Sequence, residues 1–137
     1  MGPHKGDRPV ITANQLLAHA VGDYVLQTDW MANAKTTRSL ATLVHAVTYV
    51  LPFLFITTNA KVLLVISGTH FIIDRFRLAR YLVWVRNYPW PGSKPWAECR
   101  ATGFSHGVPP YMSAWLLIIV DNIVHVVING AAISYIS

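Results

Sequence analysis

Apolar residues run through this chain in four long blocks, each broken by polar groups at helical spacing. The first block runs from about Thr12 to about Met31 and sets Ala, Leu and Val around one polar stripe of Gln15, His19, Asp23 and Gln27. Residues recurring at three- and four-residue steps predict an amphipathic helix. The second block runs from about Ser39 to about Thr58, the third from Ala60 to about Val85, and the fourth from after Pro109-Pro110 to about Tyr135. A proline pair suits a helix start, where N–H groups have no partner to lose. Pro52 is expected to kink the second helix and free the Thr48 carbonyl. Residues 86–110 are dense in Pro, Gly and Trp, and Pro89, Pro91 and Pro95 exclude a helix there, so a loop is expected.

The fold class expected is therefore all-α, in a single domain over residues 1–137 with residues 1–11 as a polar tail. Composition moves that domain into a bilayer. Of 137 residues, 53% are apolar and only 12% charged, and the mean hydropathy is +0.39. Soluble domains carry about twice that share of charge. Blocks two, three and four each reach the roughly 20 residues that a hydrocarbon core requires. Block one is more polar. Full crossing by block one would put the large basic cluster (Arg75, Arg77, Arg80, Arg86, Lys94, Arg100) opposite the tail, whereas a re-entrant or interfacial block one puts Lys35, Arg38 and that cluster on one side. The positive-inside rule favours the second arrangement. The expectation is an integral bundle of four helices in a bacterial inner membrane. It has three full crossings and one re-entrant or interfacial N-terminal helix, with the N-terminus and the 86–110 loop cytoplasmic and the C-terminus outside. Trp84, Trp90, Trp96 and Trp115 are expected at headgroup depth. The lone Cys99 excludes an intrachain disulfide. The sequence shows no Gly-rich phosphate loop, and no direct nucleic-acid partner is expected.

Polar residues inside the greasy blocks form a repeated pattern. Block one holds His19 and Asp23, block three holds His70 and Asp74, and block four holds the same pair reversed, Asp121 and His125. Block two adds His45. Residues four apart on a helix share a face. Helical rise places His45 ~10 Å in from Arg38, and His70 and Asp74 ~15 Å and ~9 Å in from Arg80, so these groups can meet at one depth. A carboxylate at mid-membrane costs about 2.5–3.5 kcal/mol on insertion scales, so Asp74 and Asp121 need compensation. A bound cation supplies it. Four histidines and three aspartates offer mixed N/O donors, which suit zinc first and also manganese or iron, and they can hold one or two ions. The expected metal set is His19, Asp23, His45, His70, Asp74, Asp121 and His125.

The stretches HAVGDYVLQTDWMANAK, LVHAVTYVLPF, HFIIDRFRLARYL and GVPPYMSAWLLIIVDNIVHVVIN resemble the domain-of-unknown-function 3307 family of small bacterial and phage membrane proteins. A looser likeness, at His19/Asp23 and His70/Asp74, is to membrane-bound metal-dependent hydrolases, and implies that chemistry here.

The leading functional expectation is an intramembrane metal-dependent hydrolase, in which the ion activates water and Asp23 serves as catalytic base. Arg75, Arg77 and Arg80 would bind a phosphoester, such as a phospholipid headgroup or a phosphorylated small molecule (a nucleotide, for example). Two alternatives stand beside it. One is a structural or interaction protein whose metal only pins the helices. The other is an ion transporter, which with so few crossings requires a homo-oligomer.

Overall fold

The computed structural model describes residues 9–136. Residues 1–8, with His4 and Asp7 of the expected polar tail, lie outside the described residues, as does Ser137. The protein is all-α, with no strand among the described residues. Its helices are α1 (Ala13–Ala20), α2 (Asp29–Ala34), α3 (Ser39–Val50), α4 (Ala60–Phe76), α5 (Ala79–Asn87), α6 (Trp96–Cys99) and α7 (Pro110–Ile136). The described residues divide into two compact units, residues 9–75 with 125–136, and residues 76–124.

Helix boundaries in the first unit follow local chemistry. Thr12 caps α1 in a capping box: its hydroxyl accepts from the Gln15 N–H, and the Gln15 side chain accepts from the Thr12 N–H at 3.1 Å. The expected single helix to Met31 is instead three pieces. After α1 the backbone widens into one π-turn, Val21–Val25, where the Leu26 N–H bonds the Val21 carbonyl at 3.0 Å. Thr28 then caps the short α2, its hydroxyl accepting from the Met31 N–H. At Pro52 the expected release of the Thr48 carbonyl does not occur. The α-helix tightens to a 3₁₀ turn over Leu51–Phe55, and the Leu51 N–H bonds that carbonyl.

The core of this unit gathers Ala18, Tyr49, Phe53, Val62, Ile66 and Ala132. Ala41 and Ala46 are fully buried, so α3 lies close against its neighbours. Ser67 donates from α4 to the Ala46 carbonyl on α3 at 3.1 Å.

The second unit begins where α4 ends. The third block is not one helix to Val85: Arg77 adopts φ 52°, in the left-handed region, and α5 starts afresh at Ala79. A non-glycine residue there costs about 1–2 kcal/mol. The Arg77 guanidinium helps to hold the turn by donating to the Ala101 carbonyl at 2.7 Å. The loop expected over 86–110 begins after α5 and contains the short α6. Its tryptophans divide. Trp96 stacks on Tyr81 at 4.5 Å and Trp84 donates to the Lys94 carbonyl, whereas Trp90 is exposed.

Among the described residues one helix, α7, is long and apolar enough to cross a membrane. The expectation of three full crossings is not matched by helix length. Ser39–Phe55 is apolar but holds 17 residues, and the break at Arg77 leaves α4 with 17.

Gly22 permits a close approach in the first unit. A Cβ there would lie 2.7 Å from both the Tyr49 ring and the Tyr49 carbonyl. Gly22→Ala is expected to lower the unfolding free energy by about 1–3 kcal/mol, as overpacking does. Gly68→Ala, which meets nothing within 4 Å, should raise it by about 0.5–1 kcal/mol. Thermal unfolding of the detergent-solubilised protein checks both signs.

Candidate metal centre

Four side chains converge inside the first unit. The π-turn carries Asp23, α3 carries His45, and one face of α4 carries His70 and Asp74. Their side chains are 9%, 0%, 1% and 3% exposed. His45 Nε2 lies 3.0 Å from His70 Nε2, 3.2 Å from Asp23 Oδ1 and 3.4 Å from Asp74 Oδ2. His70 Nε2 lies 3.4 Å from each of the same two oxygens.

This spacing decides what the cluster can do. A ring nitrogen offers one proton or one lone pair, so it makes one good hydrogen bond in the ring plane. Here each Nε2 faces three donors or acceptors at once. A cation at the centre satisfies all four atoms together. In a regular tetrahedron with metal–ligand bonds of about 2.0–2.1 Å, the ligand–ligand edges are about 3.3–3.4 Å. The five edges above span 3.0–3.4 Å. These four residues therefore form a group that could hold a metal ion.

A surrounding shell aims the carboxylates. His125 Nε2 lies 3.2 Å from Asp74 Oδ1, the oxygen not used in the tetrahedron. His19 Nδ1 lies 3.7 Å from Asp23 Oδ2 and 2.8 Å from the Tyr49 hydroxyl. Asn129 donates to that hydroxyl at 2.6 Å. Lys35 places Nζ 2.8 Å from Asp74 Oδ2, with its side chain 21% exposed. The Lys35 carbonyl accepts from the hydroxyl of fully buried Thr42, so the turn bearing the ammonium is pinned to α3. Metal ligands are commonly oriented by such partners.

The seven proposed ligands are thus placed unequally. Asp23, His45, His70 and Asp74 meet, and His19 and His125 stand behind the two carboxylates. Asp121, one turn before His125 on α7, is partly exposed and belongs to the second unit. Lys35 and Tyr49 were not candidates from sequence. Lys35 lies in a turn and reads as ordinary positive-inside charge. Tyr49 sits four positions after His45, a spacing that could have marked it.

The three arginines each donate to a backbone carbonyl. Arg75 follows Asp74 directly in the sequence. Its guanidinium donates to the Thr36 carbonyl at 2.9 Å and to the Ser39 hydroxyl at 3.2 Å. In the second unit Arg77 donates to the Ala101 carbonyl, and Arg80 to the Arg100 carbonyl at 2.8 Å. Cys99 is buried there, and burial pushes its thiol pKa up, away from nucleophilic use.

A family model described as "Protein of unknown function (DUF3307)" matches residues 11–134. The chain belongs to the DUF3307 family. No curated protein and no solved structure matches it. Every member of the four-residue cluster in this DUF3307 protein lies inside the matched span.

Breaking a buried ionic cluster by removing one partner costs about 3–5 kcal/mol. Asp74 contacts His45, His70, His125 and Lys35. In excess chelator, Asp74→Asn is therefore expected to lose about 3 kcal/mol of stability, and Lys35→Met less, because its ammonium is partly solvated. Chemical denaturation in mild detergent measures both.

Proposed function

We propose that this DUF3307 protein is a membrane-anchored metalloprotein that binds one divalent transition-metal ion, zinc by its donor set, through Asp23, His45, His70 and Asp74. The near-tetrahedral convergence of two imidazole nitrogens and two carboxylate oxygens carries the reading. Two carboxylates balance one divalent ion, and the further positive charge, on Lys35, is partly solvated, so little net charge is buried. Nitrogen and oxygen donors without cysteine fit zinc, and manganese or iron less well at four-coordination.

Four protein donors close a tetrahedron, which is the pattern of a structural site. The ion would tie the π-turn, α3 and α4 together, and its binding energy would count as folding energy. A second reading, metal-dependent hydrolysis, is favoured by Lys35. A carboxylate already facing an ammonium at 2.8 Å can lean toward it and leave a coordination position on the partly exposed side. There a bound ion supplies Lewis-acid activation of water. Asp23, with Oδ2 outside the tetrahedron, is the base of that reading. Arg75, Arg77 and Arg80 each give a hydrogen to a backbone carbonyl, so the proposal assigns them to anchoring chain turns rather than to phosphate.

The membrane part of the proposal rests on exposed apolar surface. Leu64 and Ile72 on α4, Leu40, Leu43 and Val47 on α3, and Trp115, Ile119, Ile123 and Val127 on α7 are all exposed. Surface of that extent is normal against lipid and unusual against water. With 27 residues, α7 is about 40 Å long, enough to pass a core of about 30 Å. Shorter α3 and α4 would enter a bilayer locally thinned to fit them. Basic residues after α4 would face the cytoplasm.

Element analysis of the purified protein is expected to find about one zinc ion per chain, and less than a tenth of that in His45→Ala and Asp23→Asn. Near-zero metal in the parent after zinc loading would remove the proposal. In the hydrolase reading, Lys35→Met keeps the zinc but loses cleavage of a chromogenic phosphodiester. In the structural reading no such cleavage is seen, and chelation lowers the unfolding temperature.

A further inference from the structure

His45 Nδ1 and His70 Nδ1 are both buried without a hydrogen-bond partner. Metal-binding imidazoles are usually aimed by an acceptor at that nitrogen. Something else must fix these rings. For His70 the structure offers one parallel surface: the Tyr49 ring lies against it, with centroids 3.6 Å apart and planes 14° apart, whereas the His125 ring, at 4.2 Å, is tilted by 35°. His45 meets Tyr49 only obliquely, at 6.3 Å.

We infer that Tyr49 is the positioning residue of the metal centre, holding the His70 imidazole by stacking where other sites use a hydrogen bond. The inference rests on the metal-binding reading above.

Three observations show that Tyr49 itself is held. It is fully buried. Gly22 leaves room for its ring and backbone, and Gly22 adjoins the ligand Asp23. Its hydroxyl is bonded on two sides, by His19 Nδ1 and Asn129. Asn129 donates to the phenol oxygen, and one hydrogen joins that oxygen to His19 Nδ1. The hydroxyl thus clamps the ring edge, and the ring face aims His70. Rotation of Tyr49 about its own bonds would break the hydroxyl pair before it tilted the imidazole.

Replacing the ring and replacing the hydroxyl should therefore have different effects. Tyr49→Phe keeps the stacking face, and its zinc affinity is expected to fall no more than about threefold, with the visible ligand-field spectrum of the cobalt-loaded protein unchanged. Tyr49→Leu removes the face, and affinity should fall about 10–100-fold with an altered cobalt spectrum, the range seen when orienting partners are lost. Phe53→Leu is the control for packing loss alone. Phe53 is fully buried one turn further along, its ring 5.5 Å from that of Tyr49, and it stacks on no histidine. It should lower stability without moving affinity or spectrum. Tyr49→Met takes the place of the leucine variant if that one does not fold. Equal affinity in Tyr49→Leu and the parent, or equal losses in Tyr49→Leu and Phe53→Leu, would overturn the inference while leaving the zinc site intact. A parent that takes up neither zinc nor cobalt removes the metal reading itself, and this inference with it.

Discussion

Two imidazole nitrogens, each within 3.4 Å of the other and of two carboxylate oxygens among apolar helices, are the constraint around which the first unit is arranged. Buried charge of one sign is costly unless it is balanced and bonded. Nearly every polar group in that unit's interior can be read as a response. Lys35 reaches in from a turn, His125 and His19 stand behind the carboxylates, and Thr42 pins the backbone that bears the ammonium. Apolar packing fills in around this centre, with Tyr49 belonging to both.

Spacing of four along a helix made most of the cluster legible from sequence. His70 and Asp74 face one way because α4 is regular, and His45 joins them because it lies one block away at similar depth. The pattern did not distinguish donors that meet from those standing behind. Asp23 enters the tetrahedron and His19 does not, a choice made by the π-turn between them and not by any residue type. Lys35 escaped notice because a lysine in a short turn has an ordinary explanation as a surface charge. Tyr49 escaped because an aromatic on a greasy helix reads as packing, which it also is.

Helix existence was easier to read than helix length. Thr12 and Gln15 announce the start of α1, and Pro110 that of α7, through local bonds written in those residues. The end of α4 carries no such mark. Arginine is a good helix former, and its left-handed turn at position 77 is imposed by partners distant in sequence, such as the Ala101 carbonyl. A break set by tertiary contacts leaves no trace in periodicity. That break shortens α4 below the length its composition suggests.

The π-turn has a bearing on how this centre could arise or be altered. Such turns behave as single-residue insertions in an ordinary helix. Removing Gly22 would restore regular winding and swing everything upstream of Asp23 by roughly 100° about the axis. Thr12, Gln15 and His19 would then look toward a different neighbour, while Asp23 stayed where the other donors need it. Loss of that one codon therefore separates Asp23 from the groups behind it without changing any of the four clustered side chains.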